Sequence, residues 1–594
     1  MTRSRPRKPR NVVRCGPQEP RFNKPLGITE TLPYNVQRLL SLGGGFAIPP
    51  PSVFAEPLDH IETMQRNMGR SGRGVLFDES IKFLRQRLLV EERTARPNGI
   101  SRAISSALRY IRTKGWVVKE ADKNLGLVLM SQTKYLQLLE PELQQDFVPV
   151  PEFPHSSVMK NVERVLKVAP YERREKELIL KRAADRLEPS PFYIIPKIHK
   201  PVVKARPITA NHSYVLSELS QRLSRVLNRE VEKLRVITVN SKQFVGQVER
   251  LRLPPNVVMF TYDVERLYPS IDIADAMTTL KREFPQVFLA KGAFWLRVLS
   301  LIMYNNYVRV EDRVYRQTKG TATGTAVAPA FANLYLWAKF RPVFRTFARH
   351  VIFQRRYIDD GFGLVRREED ARALIHALNG CSNLDLTYTV HQERAVYLDV
   401  EVYKGERWAK SQILDVSIYT KPISKFLYLH GKSNHPAHVL TGIVKGELIR
   451  FLRNTSSEHV WNVKIQFLLQ KLSQRGYGGH TLRQAVSAIK FSDRPRFLDW
   501  ATPKGVDLGE FVVLPYHPTA KPLWRSLMRW IVARHWNVRV KLPMALVFCR
   551  TPTIRSKAIS NRSWSNRQVA SDSTTPAKRR RLNPGESQAA DSSA

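Results

Sequence analysis

At 594 residues the chain is too long for one ordinary core, so two to four domains are expected. Its 96 Lys and Arg against 52 Asp and Glu leave a formal net charge of +44, and a folded chain that basic needs polyanionic company, of which nucleic acid is the commonest large form. Three scattered cysteines (Cys15, Cys381 and Cys549) give neither a disulfide framework nor a zinc spacing; no apolar run reaches ~18 residues and the N-terminus has no signal-peptide core, so secretion and membrane spanning are not expected.

In chain order, residues 1–34 are Pro- and Arg-rich and read as a disordered basic arm. Residues 35–115 read as a helical region, with "NVQRLLSLGGGFAIPPP" and "SIKFLRQRLLVEERT" as helical pieces around a Gly/Pro loop. "GWVVKEADKNLGLVLM" places a charged turn beside a strand at Leu127–Met130, and 160–188 reads as charged helix. Residues 116–405 mix strands and helices. "NVVMFTYDV" and "HVIFQRRYIDDGFGLV" are apolar strands that run into carboxylates, and "REEDARALIHALN" is an amphipathic helix. "LDLTYTV", "AVYLDVEVY" and "ILDVSIYTK" are short strands close in sequence, which suggests a meander. Residues 406–500 turn helical, 501–550 form a C-terminal extension, and 551–594 read as a disordered basic tail.

An Asp-Asp pair alone is usually a solvated turn. Here Asp359 and Asp360 follow an apolar strand, and so does Asp263, 96 residues earlier. Two neighbouring strands delivering these groups to one edge would make a cluster that needs divalent cations, and all-oxygen ligands favour Mg²⁺ or Mn²⁺ over zinc. Two such ions suit phosphoryl transfer. Gly361 and Gly363 would allow a tight turn. Tyr268, five residues after Asp263, could reject a 2′-hydroxyl by clash, or could simply be a core tyrosine. "KGTATGTAVAPAFANLYL" sets Gly320 and Gly324 before a helix, for close backbone approach or for a plain tight turn. "FYIIPKIHKPVVKARPITA" carries Lys197, Lys200, Lys204 and Arg206 on a rigid extended stretch that suits triphosphate binding, with a solvated basic loop as the competing account.

The order of these motifs, basic P-K-x-H-K…R-P, D-x₄-Y, G-x₃-G-x₄-P and Y-x-D-D, resembles the right-hand palm of reverse transcriptases. "ADKNLG" at 121–126, "YLDVEVY" at 397–403, "LLSLGGGFAIPP" at 39–50 and the stretch 419–456 narrow the resemblance to Penelope-like retroelement polymerases, relatives of telomerase reverse transcriptases. It spans roughly residues 35–480. The resemblance implies an α+β right-hand polymerase: fingers and an antiparallel-sheet palm within 116–405, then a primer grip and helical thumb at 406–500. Asp263, Asp359 and Asp360 would be the catalytic metal carboxylates for two Mg²⁺ ions, with Mn²⁺ as an alternative, and the Val264 carbonyl would be a further ligand. Lys197 and Arg206 would contact the triphosphate, Tyr268 the sugar, and Gly324 the nucleotide and template. Lys421 and His435 would lie on the primer side. The implied partners are an RNA template, a DNA primer such as a chromosome end, and dNTPs, with no membrane; the oligomeric state is open. Thr323 and Lys319 depart from the family's usual Met and Gln. Residues 480–594 show no GIY-YIG endonuclease motif, so the chain resembles the endonuclease-lacking branch or a truncated copy. "PAKRRRL" at 576–582 reads as a nuclear-localisation signal or an RNA-phosphate-binding tail. A catalytically silent or domesticated RNA-binding derivative is the alternative, and an RNA-dependent RNA polymerase and a cellular telomerase subunit are further rivals.

Overall fold

A computed structural model describes residues 22–49, 99–499, 511–515, 545–549 and 553–559. Strands β1 (Val117–Glu120) and β2 (Leu127–Met130) form an antiparallel hairpin around a turn at Asp122–Asn124. Strands β3 (Phe147–Val150), β4 (Ser190–Lys197) and β5 (Lys204–Thr209) join a later hairpin, β7 (Tyr307–Val310) and β8 (Arg313–Gln317), in a five-stranded sheet ordered β3-β8-β7-β4-β5. The central sheet is assembled from β6 (Val258–Val264), β9 (Val351–Tyr357), β10 (Asp360–Val365) and β11 (Leu386–His391), in the order β11-β6-β10-β9 with every pairing antiparallel.

Alternation along β6 explains how that sheet is held. Val258, Phe260, Tyr262 and Val264 face one core with the helices Ala328–Thr346 and Glu368–Gly380, whereas Met259 joins Phe362 and Leu364 of β10 in a second core. That second core is closed by β12 (Arg394–Tyr397), β13 (Val400–Tyr403) and β14 (Asp415–Ile418), a separate three-stranded sheet, and by the helix Ser241–Val248. Period-two patterning thus covers both faces of the sheet and leaves its end open. A helical unit follows: Ala437–Arg453, Glu458–Gln474 and Gly479–Ser487 bury Leu448, Phe451, Leu468 and Leu472 among themselves. This is the α+β right-hand arrangement that the motif order implied: a basic sheet, a central antiparallel sheet, then a helical unit.

Several local expectations change. The three short strands do not form one meander; β11 leaves its neighbours to pair with β6, because its register places Leu386 beside Val264 at the sheet's outer edge. The charged helix over 160–188 is two helices, His155–Lys167 and Arg173–Ala184, interrupted around Pro170, which lacks an N–H and restricts the residue before it. The basic arm was expected to reach residue 34, yet Asn23 is buried and its amide donates to the carbonyls of Leu125 (2.9 Å) and Leu127 (2.8 Å). The tail expected from 551 includes a short helix, Ile554–Ala558, whose Ile554 is buried against Phe46 and Leu129. "SIKFLRQRLLVEERT", "PAKRRRL" and most of 501–550 lie outside the described residues; within the extension, β15 (Phe511–Pro515) and β16 (Ala545–Cys549) pair in parallel. No helix among the described residues is long and apolar enough to cross a membrane.

Candidate active site

The β9–β10 hairpin turns over only Ile358 and Asp359, and its register sets Asp360 directly opposite Asp263 on β6. Residues directly opposite in an antiparallel pair project to the same face. The two carboxylates therefore share the Met259/Phe362 face, at the end where that core opens to solvent. Asp359 is tied to the same place through its backbone, whose carbonyl accepts from Val264 N–H at 3.1 Å. Asp263, Asp359 and Asp360 are all exposed and Val264 is buried.

Gathering carboxylates has an electrostatic signature. Reduced hydration, then the Asp359 and Glu265 charges, raise the Asp263 carboxyl above its ordinary value, while Lys123 opposes them. The Asp360 carboxyl is pushed up to about 6, first by lost hydration and then by Asp263 and Asp359, against the pull of Lys421 and Lys123. Among the described residues no three His, Cys, Asp or Glu side chains are closed into a group that would hold a metal ion as they stand. The exposed Asp263, Asp359 and Asp360 offer oxygen donors only, the chemistry that a hard divalent ion takes.

A pH dependence follows. Above its ordinary value of 3.8 and up to about 6, Asp360 keeps a proton in the fold that the unfolded chain gives up, so its ionisation lowers stability as pH rises through that window. In metal-free protein, Asp360→Asn should therefore raise stability at pH 7.5 by about 1 kcal/mol, a value discounted for solvent screening of an exposed group, and the gain should vanish by about pH 4. Thermal melts with chelator across that range check this; a variant less stable at pH 7.5 would remove the repulsion argument.

Tyr268 sits in the short helix Leu267–Ser270, half-buried. Burial first, then the Asp359 and Tyr357 charges, push its phenol up to about 12. The Gly320–Gly324 loop holds this segment: Thr321 N–H donates to the Tyr268 carbonyl at 2.9 Å, and Thr209 N–H of β5 donates to Thr323 at 2.9 Å. A Cβ at Gly320 would strike the Tyr268 and Pro269 backbone, and one at Gly324 (φ +117°) would strike the Thr209 carbonyl. What the structure shows for Gly324 is thus a packing requirement that fastens the loop to β5. Gly324→Ala should destabilise the protein by about 3 kcal/mol or more, measured by chemical denaturation, because backbone cannot yield as a flexible side chain would.

Lys197 and Arg206 share one face of the β4–β5 hairpin, since Arg206 lies opposite Ile195 and Lys197 is two residues further on. Burial and then Arg206 lower the Lys197 pKa. Arg206 also pairs at 3.4 Å with the buried Asp122, which connects this sheet to the Asp122–Asn124 turn. Lys123 and Asn124 in that turn adopt positive φ (57° and 55°). Lys123 is the cation that sequence reasoning missed: burial and the charge of Lys421 lower its pKa, and its charge acts on both Asp263 and Asp360. Its one visible signal was the "ADKNLG" stretch. The structure thus groups Asp263, Asp359, Asp360, Tyr268, Lys123 and Lys421, and sets Lys197 and Arg206 on the adjoining sheet. It does not bring His435 in by any contact; that imidazole pairs with Ser433 Oγ (3.0 Å), which accepts from Ala47 N–H (2.8 Å).

The glycines of the hairpin have a packing role that the sequence did not show. A Cβ at Gly361 would enter the Tyr262 ring and one at Gly363 the Phe260 ring, so both make room for aromatics stacked across β10. The left-handed turn residue is Ile358, at φ 57°.

Comparisons with known proteins give a local family match and distant structural likenesses. Residues 427–486, which span the helices Ala437–Arg453 and Glu458–Gln474 and all but the last residue of Gly479–Ser487, match the animal helix-turn-helix domain. No curated protein matches the chain. Among solved structures, telomerase from Candida albicans in complex with a fragment of telomeric RNA shares 12% identity at a TM-score of 0.47, with 72% of each chain covered. Telomerase from Candida tropicalis with such a fragment shares 10% identity at 0.38, covering 80% of this chain and 81% of its own. The RNA-dependent RNA polymerase of bacteriophage phi12 shares 13% at 0.33, with 50% of each chain covered.

Proposed function

We propose that the protein is an RNA-directed DNA polymerase of the Penelope-like kind, acting in the nucleus and extending a DNA primer on an RNA template with dNTPs. The observation that carries this reading is the register of Asp360 against Asp263, with Asp359 pinned beside them through Val264. Asp263, Asp359 and Asp360, with the Val264 carbonyl, would hold two Mg²⁺ ions, which supply Lewis-acid stabilisation of the charge that develops on the attacking and leaving oxygens.

The chain's own groups do the rest. Lys197 and Arg206 receive the triphosphate, Arg as a fork and Lys as a point charge. Lys123 and Lys421 add positive charge that acts on the carboxylates, so a polyanionic substrate is attracted although the cluster itself is negative. Tyr268, fixed through its carbonyl, limits the room beside the sugar. No side chain needs to act as a nucleophile, since a primer hydroxyl attacks and pyrophosphate leaves. The helix-turn-helix unit follows β14 directly and would hold the primer–template duplex through its phosphates.

The test is primer extension by the full chain on primed RNA, with Mg²⁺ and either dNTPs or NTPs, beside Asp359→Asn. DNA synthesis by the wild type alone supports the reading. Extension with NTPs in preference would favour an RNA polymerase, and no synthesis by the wild type would favour a silent RNA-binding derivative.

A further inference from the structure

Arg356 lies on β9 two residues before the kink at Ile358, and only 2% of it is exposed. Its register partner is Gly361, so its side chain points to the face opposite the carboxylates, toward the helix Ala328–Thr346. There Nη1 donates to Asn333 Oδ1 (2.9 Å) and to the Ile358 carbonyl (2.7 Å), and Nη2 donates to the Asn333 carbonyl (2.9 Å). Among the described residues no carboxylate forms an ion pair with it. A buried guanidinium held only by neutral oxygens is costly and is the sort of group that packing alone would replace with an apolar side chain.

What it holds is unusual. Ile358 is β-branched and left-handed, a conformation that its own side chain disfavours. Arg356 fixes the carbonyl before Asp359, and Val264 N–H fixes the carbonyl of Asp359 itself. Both peptide units that flank the Asp359 Cα are thereby pinned, which sets the direction of its carboxylate. The backbone of Arg356 is anchored too: its N–H donates to Val236 (2.9 Å) and its carbonyl accepts from Thr238 (2.8 Å).

We propose that Arg356 is a positioning residue that enforces the Ile358 kink from behind the sheet and so aims Asp359 at Asp263. The proposal rests on reading these aspartates as the reactive site of a polymerase. Preorganisation of this kind acts on the turnover step, because misplacing a reacting group by about 1 Å can cost ~100-fold.

The test uses the full chain with Arg356→Gln and with Arg356→Gln combined with Ile358→Gly, since glycine takes the kink without strain. For Arg356→Gln, kcat for primer extension should fall about 30-fold while KM for dNTP stays within about threefold. Hydrogen exchange at the Asp359 and Asp360 amides should quicken about tenfold without a global rise, and Mn²⁺ affinity read by paramagnetic resonance should drop about fivefold. Adding Ile358→Gly should recover about tenfold in kcat. Wild-type kcat and exchange in Arg356→Gln would overturn the proposal, as would a loss that Ile358→Gly leaves unchanged and that comes with faster exchange throughout. If Arg356→Gln does not fold, Asn333→Ala, which keeps the charge and the Ile358 bond, should lower kcat about fivefold at an unaltered melting temperature, and wild-type kcat there would overturn it. If the wild type does not extend primers, the polymerase reading fails, while exchange and Mn²⁺ binding still decide the role of Arg356.

Discussion

Asp359→Asn should lower primer extension about a thousandfold while leaving the fold intact. The substitution keeps size and shape and removes the charge. The structure asks the side chain of Asp359 for no contact that stability needs: it is exposed, and its anchoring runs through backbone groups, with its carbonyl on Val264 N–H. The variant should melt no lower than the wild type, because removing one of three repelling carboxylates relieves Asp263 and Asp360. Asp263→Asn should act alike. Equal incorporation by wild type and Asp359→Asn, in single-nucleotide extension with Mg²⁺, would remove the metal-site assignment.

Tyr268→Ala should raise ribonucleotide use relative to deoxyribonucleotide use about 100-fold, with a smaller change in dNTP turnover. The half-buried ring is acted on by the Asp359 and Tyr357 charges, and its backbone is held independently of the side chain by Thr321 N–H. Truncation therefore empties the space beside the site without loosening the segment. Competition between a dNTP and its NTP at one template position reads the effect directly. Unchanged selectivity with lowered stability would leave Tyr268 as a core residue, the competing account that the sequence could not dismiss.

Much of the site was legible because it is written in local alternation. "VVMFTYD" and "VIFQRRYIDD" each show an apolar strand that ends on carboxylates, and period two says which residues share a face. The expectation that two such strands lie side by side, each bringing a carboxylate to one edge, is met by the pairing of β6 with β10. What stayed hidden depends on contacts distant in sequence. Gly361 and Gly363 make room for Tyr262 and Phe260, nearly 100 residues earlier, a clash that no inspection of the hairpin reveals. The kink falls on Ile358 where a turn residue would be sought among the glycines, because Arg356, itself held by Asn333 of the helix Ala328–Thr346, imposes it. Lys123 and Asp122 sit in a short charged turn, and contacts such as Asp122 with Arg206 and Lys119 over the Tyr193 ring bring that turn to the site. The partition of β11 into the central sheet was likewise unreadable, since a strand of that composition pairs equally well with either neighbour.

The buried Ile554 bears on how this chain folds. Its N–H donates to Phe46 at 3.0 Å, Arg555 N–H donates to Gly44 at 2.8 Å, and the Arg555 side chain pairs with Glu120. Arg475 reaches the same region with donations to the Ser41 and Leu42 carbonyls. Gly44 and Phe46 are thus completed by residues about 500 positions further along the sequence. Most of the apolar cluster around Phe46 comes from Leu32 to Leu129, and Ile554 is the member added from far along the sequence. The seam also closes a loop of about 500 residues, a contact whose entropy of closure is met only once the elements between are in place.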